Sequence, residues 1–355
     1  MPLKRQDALR LLHFCLGPDD SGSVDLADDG AALVTVAPAE SPAGVAAVRT
    51  FEAATFDEAL RQAADAGMLK SACVEKQIAF LSREGEREAR ATPEPVPVRP
   101  PPRDLFPRLV STMASLLHEV QVERGMSAIC AASSGRHFRR ELARQRERVD
   151  GRRARLLALR RELAEALGTT LGRRFEKVDA RLGALGKARV ALDAGGIGAS
   201  EIIATYSAVS LELLGIGDGA LVAFAPGAQH ASALAAVVLL YAKEKTGIER
   251  ARMGAAFAAR TFSDQDRQAL AALLSAGRSY LHVFSATAPR PAEELLARAL
   301  ASTVEAELSR AESLILAGRE DETDLDARGW FNLTSRKIEL LGEVGLTTLG
   351  LVAAA

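Results

Sequence analysis

The chain lacks the raw material for a covalent or metal-built framework. Its three cysteines, Cys15, Cys73 and Cys130, are far apart and form no C-x-x-C pair, which argues against a zinc ribbon or a disulfide scaffold and fits a reducing, cytoplasmic compartment. The five histidines, at 13, 118, 137, 230 and 282, share no helical spacing, so no metal site is expected. Enzyme fingerprints are missing as well: no G-x-x-x-x-G-K-S/T, no G-x-S-x-G, no H-E-x-x-H and no Gly-rich dinucleotide turn after a strand. The expectation is a protein that is not an enzyme, with no catalytic residue and no cofactor. The N-terminus, MPLKRQDALRLLHF, has no long apolar core of the kind a signal peptide needs. The most apolar stretch, Ala220–Ala242, reaches spanning length, yet Pro226, Gly227, Gln229 and His230 interrupt it. It reads as a loop between two buried helices, with no transmembrane span and no membrane partner.

What is present is apolar and helical. The 355 residues suffice for two or three cores, and 48% are apolar, so burial alone can hold the fold. A net charge of -1 gives no global attraction to nucleic acid or anionic lipid. Arginine outnumbers lysine more than fourfold and alanine is abundant throughout, so arginine counts alone carry little information.

The segment ATPEPVPVRPPPRDLFP, Ala91–Pro107, is too proline-rich for a helix or central strand. A linker over 91–105 therefore separates a small α+β unit, residues 1–90, from a long helical region, residues 106–352. In the first unit DDGAALVTVAP reads as a turn and a strand, VAAVRTF as a second strand, and FDEALRQAADAG as a helix stopping at Gly67. Beyond the linker, apolar residues recur at helical spacing and predict helices near 106–132, 137–167, 171–194, 199–215, 229–259, 264–286, 291–317 and 322–351. Breaks fall at Ser133-Ser134-Gly135, at glycines 195, 196 and 198, at Pro226-Gly227, at the N-cap Ser263-Asp264, and at Pro289 with Pro291. Eight helices predict a mainly all-α fold of two antiparallel bundles.

The candidate chemistry lies in an internal echo. VERGMSAICAA at 122–132 and IERARMGAAFAA at 248–259 each place Glu-Arg before a run of small residues. Four and seven residues from Arg124 lie Val120, Leu117, Ala128 and Ala131; three away lie Gln121 and Ser127. Arg124 thus points largely toward the core. Arg250 shares a face with Gly247, Met253, Gly254 and Phe257, less cleanly because Lys243 and Thr246 lie there too. A guanidinium keeps its proton, and burying it costs several kcal/mol unless an anion with well-placed acceptors answers it. Two answers stay open. One is a structural salt bridge, for which Glu119, Glu123, Glu244 and Glu249 are available; the other is a pocket in which two such arginines grip a planar oxyanion along an edge. The small residues Gly125, Ser127, Ala128, Gly254, Ala255 and Ala256 would shape such a cavity, and ordinary helix packing explains them equally well. A third segment, GWFNLTSRKIELL at 329–341, carries Trp330, the only tryptophan, with Thr334 and Arg336; its simplest role is to close the last helix.

These segments resemble the nitrate- and nitrite-sensing (NIT) domain of bacterial receptors. LLHEVQVERGMSA at 116–128 and LLYAKEKTGIERARM at 239–253 carry the resemblance, through E-R-G-L/M-S-A and A-K-E-x-x-G-x-E-R-A, and WFNLTSRKIELL at 330–341 supports it. The resemblance implies two antiparallel helical bundles with nitrate or nitrite between them, held by Arg124, Arg250 and, third, Arg336. It also implies that ligand shifts the bundles and acts through a homodimer on an output module. Family members usually carry that module after the sensor, whereas here the sequence runs to LGLVAAA. The output is then expected from the N-terminal unit or a separate partner protein.

Two other readings rank below this one. Residues 136–181 hold fifteen basic against seven acidic side chains, which would suit a nucleic-acid-binding helical regulator. Interspersed glutamates and scarce aromatics argue instead for a solvated or dimer-forming helix. A ligand-free coiled scaffold would need long heptads, and the breaks interrupt them.

Overall fold

The computed structural model describes residues 21–26, 32–37, 49–53, 55–66, 69, 104–164, 166–225 and 227–354. The chain divides into two compact units, residues 1–99 and 100–355. Most of the expected linker, the expected helix stop at Gly67, residues 45–48 of the second expected strand, and Pro226 lie outside the described residues.

In the first unit, β1 (Ser21–Leu26), β2 (Ala32–Ala37) and β3 (Arg49–Ala53) form an antiparallel sheet in that order. Its register sets Val24 opposite Val34 and Val34 opposite Phe51. Alternation along β2 buries Ala32, Val34 and Val36 and turns Leu33 outward. Helix α1 (Phe56–Asp65) is capped by Thr55, whose hydroxyl accepts the Glu58 amide at 3.3 Å. Its stripe of Phe56, Ala59, Leu60, Ala63 and Ala64 joins the valines in one small core. Strand β1 was not anticipated, because SGSVDL offers too little apolar alternation to read as a strand.

The second unit is helical throughout its described residues. Its helices are α2 (Leu105–Ala132), α3 (Glu141–Glu162), α4 (Gly168–Asp193), α5 (Ala199–Phe224), α6 (His230–Ala259), α7 (Asp264–Thr287), α8 (Arg290–Leu300), α9 (Thr303–Leu316) and α10 (Ala327–Ala354). Helices α2 to α5 share one long apolar core. Helices α6 to α10 enclose two smaller ones, around Leu239, Phe284 and Leu341 and around Met253, Leu308 and Trp330. Helices α2 and α6 lie against each other, and α10 packs on both. A separate cluster of Ile129, Phe138, Ala258, Ala327 and Phe331 fills that seam.

Local chemistry accounts for several boundaries. Ser263 and Asp266 exchange side-chain and backbone bonds in a capping box that starts α7. Arg260 takes the left-handed conformation that ends α6. The helices expected over 137–167 and 322–351 start four and five residues later, at Glu141 and Ala327, and two larger differences concern the helices expected over 291–317 and 199–215. The helix expected over 291–317 is two helices, because Ser302 caps a new start by accepting the Glu305 amide at 3.3 Å. Helix α5 runs past Gly215 to Phe224, its glycines serving as contact points: a Cβ at Gly215 would lie 2.7 Å from Arg174 Nη1, and one at Gly219 2.7 Å from Leu171 Cδ1. Among the described residues one helix, α5, is long and apolar enough to cross a membrane by length and composition, and 56% of its apolar window is buried inside the unit.

Candidate functional site

The seam between α2, α6 and α10 buries charge. Arg124 on α2 and Arg250 on α6 are both fully buried, and each lies over a glycine of the opposite helix. A Cβ on Gly247 would sit 2.8 Å from Arg124 Nη2; one on Gly125 would sit 3.3 Å from Arg250 Nε and 2.9 Å from Cε2 of Phe331. The two glycines thus make room for the two guanidiniums.

Their surroundings differ sharply. Arg124 is answered inside the protein: Nη1 donates to Glu244 Oε1 at 2.5 Å and Ser207 Oγ at 2.9 Å, and Nη2 to Glu244 Oε2 at 3.2 Å. Gln121 Nε2 donates to the same carboxylate at 2.7 Å. Of the four acids available in the sequence, Glu244 therefore takes Arg124. Arg250 has no carboxylate within ion-pair distance among the described residues. Its Nη1 donates to Ser335 Oγ at 2.9 Å, its plane lies 4.8 Å from the centre of the Phe331 ring, and Nε and Nη2 have no partner. Burial first, then the nearby Arg124 guanidinium, pull its pKa below the ordinary arginine value. An arginine stays protonated under such pressure, and the Glu244 and Glu339 carboxylates offset its charge only in part and from beyond ion-pair distance.

The unpartnered pair, Nε and Nη2, forms the side-on edge of the guanidinium. Arg189 uses the same edge to grip Glu123, at 2.7 Å and 2.8 Å. Chemically, then, Arg250 offers an unoccupied fork of the geometry that takes two oxygens of a planar anion in parallel.

Arg250 also lines a cavity of about 420 Å³ with His118, Arg148, Phe331, Ser335, Arg336 and Glu339. Arg336 stands there with its side chain 54% exposed and the Glu307 carboxylate 4.0 Å away. The structure therefore brings Arg250 and Arg336 to one cavity, whereas Arg124 is not among its lining residues. Trp330 and Thr334 are buried in packing roles, the Thr334 hydroxyl donating to the Trp330 carbonyl at 2.8 Å.

Two further cations, Lys243 and Arg152, and a histidine, His118, line this cavity or the one beside it. Lys243 is 9% exposed, and burial, then Arg250, draw its pKa down to about 8. His118 is drawn down to about 4 by burial, then by Lys243, Arg250 and Arg152. Arg152 lines the neighbouring cavity with both. Sequence reasoning missed this group, although Lys243 stands two turns before Arg250 on the same face and the spacing of seven was the available signal. By contrast, several arginines of the basic segment turn to acids of their own bundle, Arg146 to Asp193 at 2.7 Å and Arg153 to Asp179 at 2.7 Å.

Fold and site together define a mainly helical protein whose helical unit buries two arginines, one of them without an ion-pair partner among the described residues, at the seam of α2, α6 and α10. The sequence pattern of nitrate and nitrite sensing domains matches residues 115–350, and the chain belongs to that family. It is a sensing protein, and its helical unit carries a nitrate- and nitrite-sensing domain. Among solved structures, that of the NasR transcription antiterminator is similar, with a TM-score of 0.65 and 22% identity over 79% of this chain and 73% of that one; at this identity the likeness speaks for the fold. No curated protein matches the chain.

Proposed function

We propose that this protein binds nitrate or nitrite at the seam between its bundles, with Arg250 as the principal ligand. The observation that carries the reading is the free Nε and Nη2 edge of a fully buried arginine that has no ion-paired carboxylate among the described residues. Arg124 contributes charge beside it while tying α2 to Ser207 and Glu244, and Arg336 stands at the cavity rim as a third, weaker contact. Nε and Nη2 are out of reach of solvent. Admitting an anion therefore requires the seam between α2, α6 and α10 to open, which is how occupancy would shift one bundle against the other. The shift is relayed, in a cytoplasmic homodimer, to the small unit in residues 1–90 across the 91–105 linker or to a separate output protein.

Equilibrium binding of nitrate, nitrite, chloride and sulfate by calorimetry tests this reading. The expected result is binding of the two planar anions alone, with Arg250→Met abolishing it and Arg336→Ala weakening it a few fold. Equal binding of all four anions, or unchanged binding by Arg250→Met, would overturn it.

A further inference from the structure

A second cavity, of about 490 Å³, lies beside the one that Arg250 lines and shares His118, Glu119 and Glu339 with it. Its character is different. Helices α2, α6 and α10 supply an apolar wall, including Ala114, Leu240, Ile338, Leu346 and Leu349; Lys243 and Arg152 supply the cations, and His118, whose pKa is drawn down to about 4, stands among them as a neutral imidazole. Lys243 is nine-tenths buried, its ammonium lies beside Gly342 of the wall, where a Cβ would be 3.5 Å from Nζ, and it makes no hydrogen bond or ion pair among the described residues. Glu119 is engaged by Gln145 at 2.8 Å, and Glu339 and Glu343 are exposed on α10. An apolar pocket with one buried, unanswered ammonium is the inverse image of an amphipathic anion.

We propose that this cavity binds an organic monocarboxylate, its carboxylate on Lys243 and its hydrocarbon part against Leu240, Ile338 and Leu346. The volume suits an aliphatic or aromatic acid of about four to eight carbons. The exposed glutamates disfavour a second negative charge. The site is separate from the Arg250 edge and does not depend on nitrate binding there. Because Arg250 is among the charges acting on Lys243, an anion on Lys243 lowers the positive potential at Arg250, and each ligand weakens the other.

The test is calorimetric titration of the full chain with acetate, butyrate, hexanoate and benzoate, with hexanol, hexylammonium and adipate as controls and nitrate run in parallel. Hexanoate and benzoate should bind, each added methylene should tighten binding about fourfold, and hexanol, hexylammonium and adipate should bind at least tenfold more weakly. Lys243→Met should lose at least tenfold in hexanoate affinity while keeping its nitrate response. Leu346→Glu, at an exposed position, should keep the fold and lose the chain-length dependence. Hexanoate that does not bind, that binds no better than hexanol, or that binds Lys243→Met as tightly as the parent would overturn the proposal. Hexanoate binding without a nitrate response would instead remove the nitrate reading and leave this one standing.

Discussion

The two Glu-Arg pairs of the internal echo meet opposite fates. In the first, Glu123 receives Arg189 at two oxygens and the Tyr206 hydroxyl at 2.6 Å, and Arg124 is held by Glu244. In the second, Glu249 lies against another carboxyl, Glu312, and among the described residues each has a buried oxygen that no donor reaches and Arg250 has no ion-paired carboxylate. Burial first, then the Glu312 charge, push the Glu249 carboxyl well above the usual range. The same dipeptide on two packed helices thus builds a closed ion pair in one place and an open one in the other. Neighbouring helices decide which, and the open pair is where a ligand gains most.

The largest way to break the contrast is to remove partners. Glu244→Gln strands Arg124 beside Arg250 and should cost about 3–5 kcal/mol of unfolding free energy in urea titrations. Arg250→Met removes a cation that no described carboxylate pairs with, and should leave stability unchanged or raise it by about 1 kcal/mol. Similar losses in both variants would mean that Arg250 has an internal partner after all.

Next in size are the glycines. Gly125→Ala would force Phe331 away from a 2.9 Å approach. We expect a cost of about 1–3 kcal/mol, partly offset by alanine's better helix propensity, together with loss of the nitrate response.

A smaller effect separates the two glutamates by pH. The raised Glu249 and Glu312 pKa values mean that the folded state holds a proton that the unfolded state releases. Their contribution is therefore fully present below the unfolded carboxylate pKa and is lost as pH rises through the folded value. Above the ordinary carboxylate pKa, Glu249→Gln should flatten the fall in stability with rising pH, as read from urea titrations across that range. An unchanged slope would mean that the pair is ionised, with Lys337 as its counter-charge. Smallest of all, Arg336→Ala, at an exposed position 4.0 Å from Glu307, should change stability by less than about 0.5 kcal/mol.

Much of this architecture was legible in the sequence, for physical reasons that also mark where legibility stopped. Ser263 and the prolines at 289 and 291 act locally, so their helix starts could be read. Ser302 acts locally too, yet the apolar rhythm on either side of it reads as one helix. The helix expected to end near 215 continues to Phe224, and its glycines admit Met113, Leu171 and Arg174 from other helices, a use that only tertiary packing reveals. At the site, the inward faces of Arg124 and Arg250 follow from helical spacing. That Glu244 answers one arginine and no carboxylate the other does not, since partners more than a hundred positions apart in sequence meet only through tertiary packing. Arg336 came from the third motif alone, and its exposure separates it from the two buried arginines.

The most direct test compares thermal unfolding of the parent chain, Arg124→Met and Arg250→Met, with and without nitrate at matched ionic strength. The account predicts that the parent gains roughly 2.7 kcal/mol at about a hundred times its dissociation constant. It predicts that Arg124→Met is strongly destabilised, with Glu244 left unpaired, and that Arg250→Met starts at least as stable as the parent and gains nothing from nitrate. If Arg250→Met is destabilised as much as Arg124→Met, or still gains stability from nitrate, Arg250 is not the unanswered charge on which this reading of the sensor rests.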